Sequence, residues 1–142
     1  MVTENKIYTE HSRSITAQKT LEEATRFMNN AHKELHQADK NGKVYRDVKH
    51  LRVACGTAYL AMLKAIDGFF LLRNIQKPKK HPSIEYYQRE LTKIDKKILT
   101  SLNIAYQILH KDGYYDGFNE VYTIKHGFEE AQYIINKLKS AI

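Results

Sequence analysis

Residues 44–72 read VYRDVKHLRVACGTAYLAMLKAIDGFFLL. Val44, Val48, Leu51, Cys55, Ala58, Met62, Ala65, Phe69 and Leu72 recur here at alternating steps of four and three. That spacing lines one side of an α-helix and predicts a single helix about 40 Å long at 1.5 Å per residue. Tyr59, Ile66 and Phe70 widen the stripe, so two or more neighbours are expected to pack on it. Cys55 falls inside the stripe, where a small thiol reads as core. Gly56 and Gly68 each cost about 1 kcal/mol in mid-helix relative to alanine. The expected return is close approach of another helix, either within the bundle or across a dimer interface.

The flanking sequence repeats the same periodicity. Before this stretch, Leu21, Ala24, Met28, Ala31, Leu35 and Ala38 follow the same steps. Ser14 or Thr16 is the expected cap, Asn41-Gly42 the expected stop, and residues 1–13 a flexible lead. After it, Lys77-Pro78-Lys79-Lys80-His81-Pro82 breaks the pattern, because each proline pushes its predecessor out of the α region. Ser83 is the expected cap of the next helix, with Glu85 in its first turn. The stripe resumes through Tyr87, Leu91, Ile94, Ile98, Leu102, Ala105 and Leu109. It is compatible with one helix over Ser83–Lys111 or two with a break near residues 95–97. Two Asp-Gly dipeptides predict a loop over 111–119, and Val121, Ile124, Phe128, Ala131, Ile135 and Leu138 mark a last helix. The whole is an all-α, antiparallel four- or five-helix bundle in one domain spanning 1–142.

Composition narrows the class. With 142 residues, 42% hydrophobic and 27% charged, the chain is globular and long enough to bury its own core. Six glycines and two prolines supply too few turns for a many-stranded β fold. A single cysteine excludes a disulfide framework. The amino-terminal residues lack a signal-peptide apolar stretch, and the longest uncharged apolar-rich run, Val53 to Leu63, falls short of a membrane span. A soluble, cytoplasmic protein is expected.

Few residues advertise chemistry. His32 and His36 stand at i, i+4, but no third ligand accompanies them in sequence, so no metal is expected. Residues 39–42 and 112–117 each hold fragments of a calcium loop without its alternating oxygens or terminal glutamate. No GxGxxG or GxxxxGK[ST] occurs, and no cofactor is expected. The net charge of +7 is uneven: the segment from Arg73 to Lys97 carries +5. Its Lys77, Lys79, Lys80, Arg89, Lys93, Lys96 and Lys97 form a candidate nucleic-acid patch, with Tyr86 and Tyr87 available to stack on bases. An ordinary solvated face with both tyrosine bodies in the core explains the same pattern.

Residues 54–65 (ACGTAYLAMLKA), followed by Phe69-Phe70-Leu71-Leu72, resemble the central helix of HEPN domains, which are small all-α modules. The order of elements is also similar over about residues 15–140. The resemblance implies a dimer, and an activity ranging from RNA cleavage to inactive partner modules. Active members resemble one another in an Arg, four to six spacers, and a His in the C-terminal half. Here the matching stretch runs from Asn103 to His110, two turns apart on roughly one face.

No arginine follows Arg89, so the guanidinium that would clamp a phosphate is missing. Asn103 and His110 are the only catalytic candidates, and His110 otherwise reads as a helix-end histidine. The expected function is therefore a non-enzymatic interaction module, acting as a homodimer or with a partner protein. The competing readings are a divergent ribonuclease using His110 with a lysine, and an RNA-binding module using the basic segment.

Overall fold

The computed structural model describes residues 9–78 and 80–142. Among these, five α-helices, a short hairpin and a π-helical segment pack together. The all-α expectation holds, with five α-helices rather than four.

Helix α1 spans Glu10–Gln37, capped by Thr9, whose hydroxyl accepts the Ser12 N–H at 3.0 Å. The helix thus starts before the expected Ser14 or Thr16 cap and takes in residues 10–13, which were read as a flexible lead; residues 1–8 lie outside the described set. Ala17, Leu21, Ala24, Met28 and Ala31 are its buried stripe.

Asn41-Gly42 does not stop α1, which ends at Gln37 with Ala38 as its cap and Asp39 at φ +56°; it turns a hairpin instead. Strands β1 (Lys40–Asn41) and β2 (Val44–Tyr45) pair antiparallel, Lys40 opposite Tyr45, around a Gly42-Lys43 turn. Gly42 has φ +67°, as a II′ hairpin turn requires at its first central residue. The hairpin is anchored from far along the chain. Tyr45 donates its N–H to the Asn119 carbonyl at 2.9 Å, and Asn119 Nδ2 donates back to the Tyr45 carbonyl at 2.9 Å.

Helix α2, Val48–Leu72, is the predicted central helix, shortened because Val44 has gone to the hairpin. Asp47 caps it by accepting the His50 N–H at 3.2 Å. It packs against α1, α5 and the π-helical segment, as the wide stripe predicts. Leu51, Ala54, Cys55, Ala58, Met62 and Ile66 are fully buried. Both helix glycines make close contacts inside the bundle. A Cβ on Gly68 would meet Leu138 at 2.8 Å, and one on Gly56 the Tyr114 ring at 2.9 Å. By length and composition α2 alone among the described helices could cross a membrane, because its charges are sparse. Yet 56% of its most apolar stretch is buried inside the bundle.

Ser83 caps α3 (Ile84–Ile94), as its position in the sequence implies. Between α3 and α4 (Lys96–Ala105) the chain breaks at one residue. Asp95 is extended (φ −159°, ψ 99°), ends α3, and caps α4 by accepting the Ile98 N–H at 2.9 Å. The 83–111 stripe is therefore two α-helices.

The predicted loop over 111–119 is largely absent. From Tyr106 to Tyr115 the chain continues as a π-helix, and only 116–120 separates it from α5, Val121–Ala141. The reason is packing: Gly113, read as a turn residue, presses its bare backbone against Cys55 on α2.

Candidate functional site

The π-helical segment gathers the aromatic side chains of this region around His110. Its ring stacks on Tyr59 of α2 at 4.6 Å and on Tyr106, one turn earlier, at 5.3 Å. Tyr114 lies parallel at 6.2 Å and Tyr115 edge-on at 4.9 Å. The imidazole is half-buried, and burial, aided by the neighbouring Lys111 charge, holds its pKa below the usual 6.5. Burial also pushes the Tyr59 hydroxyl up, well above the usual tyrosine value. Both shifts favour the neutral forms of His110 and Tyr59.

This corrects the helix-end reading of His110. The ring is mid-segment, and a neutral imidazole gains nothing from a helix C-terminus. Asn103 does not join it. The side chain of Asn103 is exposed and its Oδ1 accepts Gln88 Nε2 at 2.9 Å. The change from α to π winding at residues 105–106 breaks the register that would have stacked residues 103 and 110 on one face.

The basic segment is partly spent on internal pairs. Lys77 bonds Asp67 at 3.1 Å, while Arg89 and Lys93 both reach Glu90 at 3.5 Å. Lys80, Lys96 and Lys97 have no ion pair among the described residues, and Lys79 lies outside them. Tyr86 and Tyr87 are core residues and cannot stack on bases. Tyr86 donates its hydroxyl to the Gln76 carbonyl at 3.1 Å, and Tyr87 donates to Asp67 Oδ1 at 2.8 Å. The stretch from Asp67 through Gln76 to Tyr87 is thus stitched from beneath.

His32 and His36 remain a pair. Among the described residues no cluster of three His, Cys, Asp or Glu could hold a metal. His32 instead packs against Phe128 at 5.1 Å on the wall of a groove between α1 and α5.

Sequence reading missed the aromatic cluster. Tyr106, Tyr114 and Tyr115 stand four or five residues from His110, a spacing that π winding turns into contact. Tyr59 comes from another helix and leaves no local signal.

A family model described as a domain of unknown function, DUF5618, matches residues 18–140. No curated relative matches the chain. Among solved structures, the chain is similar to a protein of unknown function from Dyadobacter fermentans. The two share 33% identity over 89% of this chain and 98% of that one, with a TM-score of 0.81.

Proposed function

The chain belongs to the DUF5618 family, and we propose that it is a HEPN-like helical-bundle module that works by binding, as a homodimer, rather than by catalysis. One observation carries the reading: of the two catalytic candidates, His110 is packed among four tyrosines with Lys111 as the one cation whose charge is felt there, and no arginine follows Arg89 to clamp a phosphate. Phosphodiester cleavage needs charge stabilisation at the phosphate beside the proton-transfer group. Asn103 is neutral and engaged with Gln88.

Beside this ring cluster the surface is apolar. Val53 and Leu60 of α2 are 45% and 51% exposed, and Tyr114 and Tyr115 are 44% and 61% exposed. They are continuous, because the Tyr114 ring lies over Gly56, between Val53 and Leu60 on the same helix face. An apolar patch rimmed by polar residues is the usual mark of a protein contact. Sedimentation velocity of the wild type and of Leu60→Lys tests it. A concentration-dependent dimer that Leu60→Lys turns into a folded monomer supports the reading; a wild-type monomer at high concentration removes it. Labelled RNA cleaved by the wild type and not by His110→Ala would replace it with the ribonuclease reading.

A second reading has its own observation. Lys80, Lys96 and Lys97 carry charge that no acid of the described residues neutralises, which favours contact with a phosphate backbone.

A further inference from the structure

Helices α1 and α5 face each other across a groove whose walls repeat the same helical spacing. His32, Leu35 and His36 line it from α1, and Lys125, Phe128 and Glu129 from α5. The hairpin closes one end with Lys40 and Tyr45. The groove is open on one side and has a volume of about 690 Å³, the size of sites that take small organic molecules. None of these residues belongs to the His110 cluster, so the groove stands independently of the dimer reading.

The floor is aromatic. Phe128 and Tyr45 are 4% and 2% exposed, and the His32 ring tilts at 54° against Phe128. A flat ring entering the groove therefore meets chiefly the exposed His32 ring and the half-buried Leu35 of α1, above the covered rings of Phe128 and Tyr45.

The rim decides the charge of the occupant. Of the two acids on it, Asp39 is paired, whereas Glu129 is mostly exposed with a histidine as its nearest charged-group contact. Asp39 accepts the Lys40 backbone N–H at 3.0 Å and reaches Arg46 at 3.5 Å, and Glu129 lies 4.0 Å from His126. Lys40 and Lys125 have no ion pair among the described residues, and His32 and His36 add ring N–H donors beside them. With Asp39 paired to Arg46, the two lysines outweigh Glu129 and the net charge of the rim is positive. A metal does not suit the site, since no third ligand joins the two histidines.

We propose that this groove binds a small planar aromatic or heteroaromatic carboxylate, its ring against His32 and Leu35 and its carboxylate toward Lys40 and Lys125. The ring and the anion act together. Either alone forgoes half of the recognition.

Amide chemical shifts of the wild-type protein, titrated with indole-3-carboxylate, indole and acetate, test this. Indole-3-carboxylate is expected to shift residues of 32–45 and 125–132 and to bind at least tenfold more tightly than either indole or acetate. A Lys40→Glu, Lys125→Glu double variant changes two exposed side chains and is expected to lose at least tenfold in affinity at unchanged melting temperature. Equal binding of indole or acetate, shifts centred elsewhere, or no binding at millimolar concentration would each overturn the proposal. These wild-type comparisons stand whether or not the double variant folds. Unchanged affinity in a folded double variant would overturn it too.

Discussion

A Cβ atom on Gly113 would stand 2.5 Å from the Sγ of Cys55. The π-helical segment and α2 touch there with only the Cys55 side chain between their backbones. The thiol is sealed in, and burial pushes its pKa up to about 12. Gly113→Ala is expected to destabilise the protein by about 1–3 kcal/mol through overpacking. Adding Cys55→Ala should return part of that loss, because it removes the sulfur the new methyl meets. Urea denaturation of both single variants and the double variant checks this; strictly additive costs would contradict the contact.

His110 should make stability fall in mild acid. Its folded pKa lies below the unfolded value, so the unfolded chain binds the proton more readily. The neutral ring costs nothing above about pH 6.5; below that, stability is lost progressively until the pH reaches the folded pKa. The groups facing the ring are Tyr59, Tyr106, Tyr114, Tyr115 and Lys111, and no carboxylate among them offers the imidazolium a partner. Melting temperatures of wild type and His110→Gln between pH 7.5 and 5 should converge as the pH drops. Parallel curves would show that His110 is not desolvated.

Asp95 terminates one helix and starts the next with a single side chain. Asp95→Ala should cost about 1 kcal/mol, the usual loss for an N-cap. Asp95→Asn should cost less, since its amide oxygen can still accept the Ile98 N–H. Equal destabilisation by both, measured in urea, would mean the cap is not what holds the break.

If the basic segment contacts RNA, binding should weaken steeply with salt. Lys96→Glu with Lys97→Glu should lower affinity and flatten the log–log salt slope by about 1.4, two phosphate contacts on a single strand. Affinity unchanged in this variant, or no binding at low salt, would end that reading.

The parts of the fold written as uninterrupted stripes were legible from residue spacing alone. Leu51 through Phe69 kept one face through α2, and Ser83 announced α3. The misreadings share a physical cause: short polar motifs serve more than one backbone. Asn41-Gly42 stops a helix and turns a hairpin equally well, and strands of two residues show no periodicity. Asp112-Gly113 reads as a turn until Cys55 is known to lie across from it, when the missing side chain becomes a packing requirement. At the candidate sites, His110 and its near-sequence tyrosines were visible, but Tyr59 was not. The groove could not be seen at all, because Leu35, Tyr45 and Phe128 meet only in the folded molecule.

The link between Tyr45 and Asn119 spans 74 residues and carries a temporal implication. The Lys43 carbonyl also accepts the Val121 N–H at 2.8 Å, so the hairpin leans on the start of α5. Helices α1 and α2 can pair as soon as they exist, since they are neighbours in sequence. The anchoring of the hairpin that joins them must wait for a loop closure of that length. During synthesis, the connection written first is among the last to settle, and the groove it closes becomes whole only when α5 arrives.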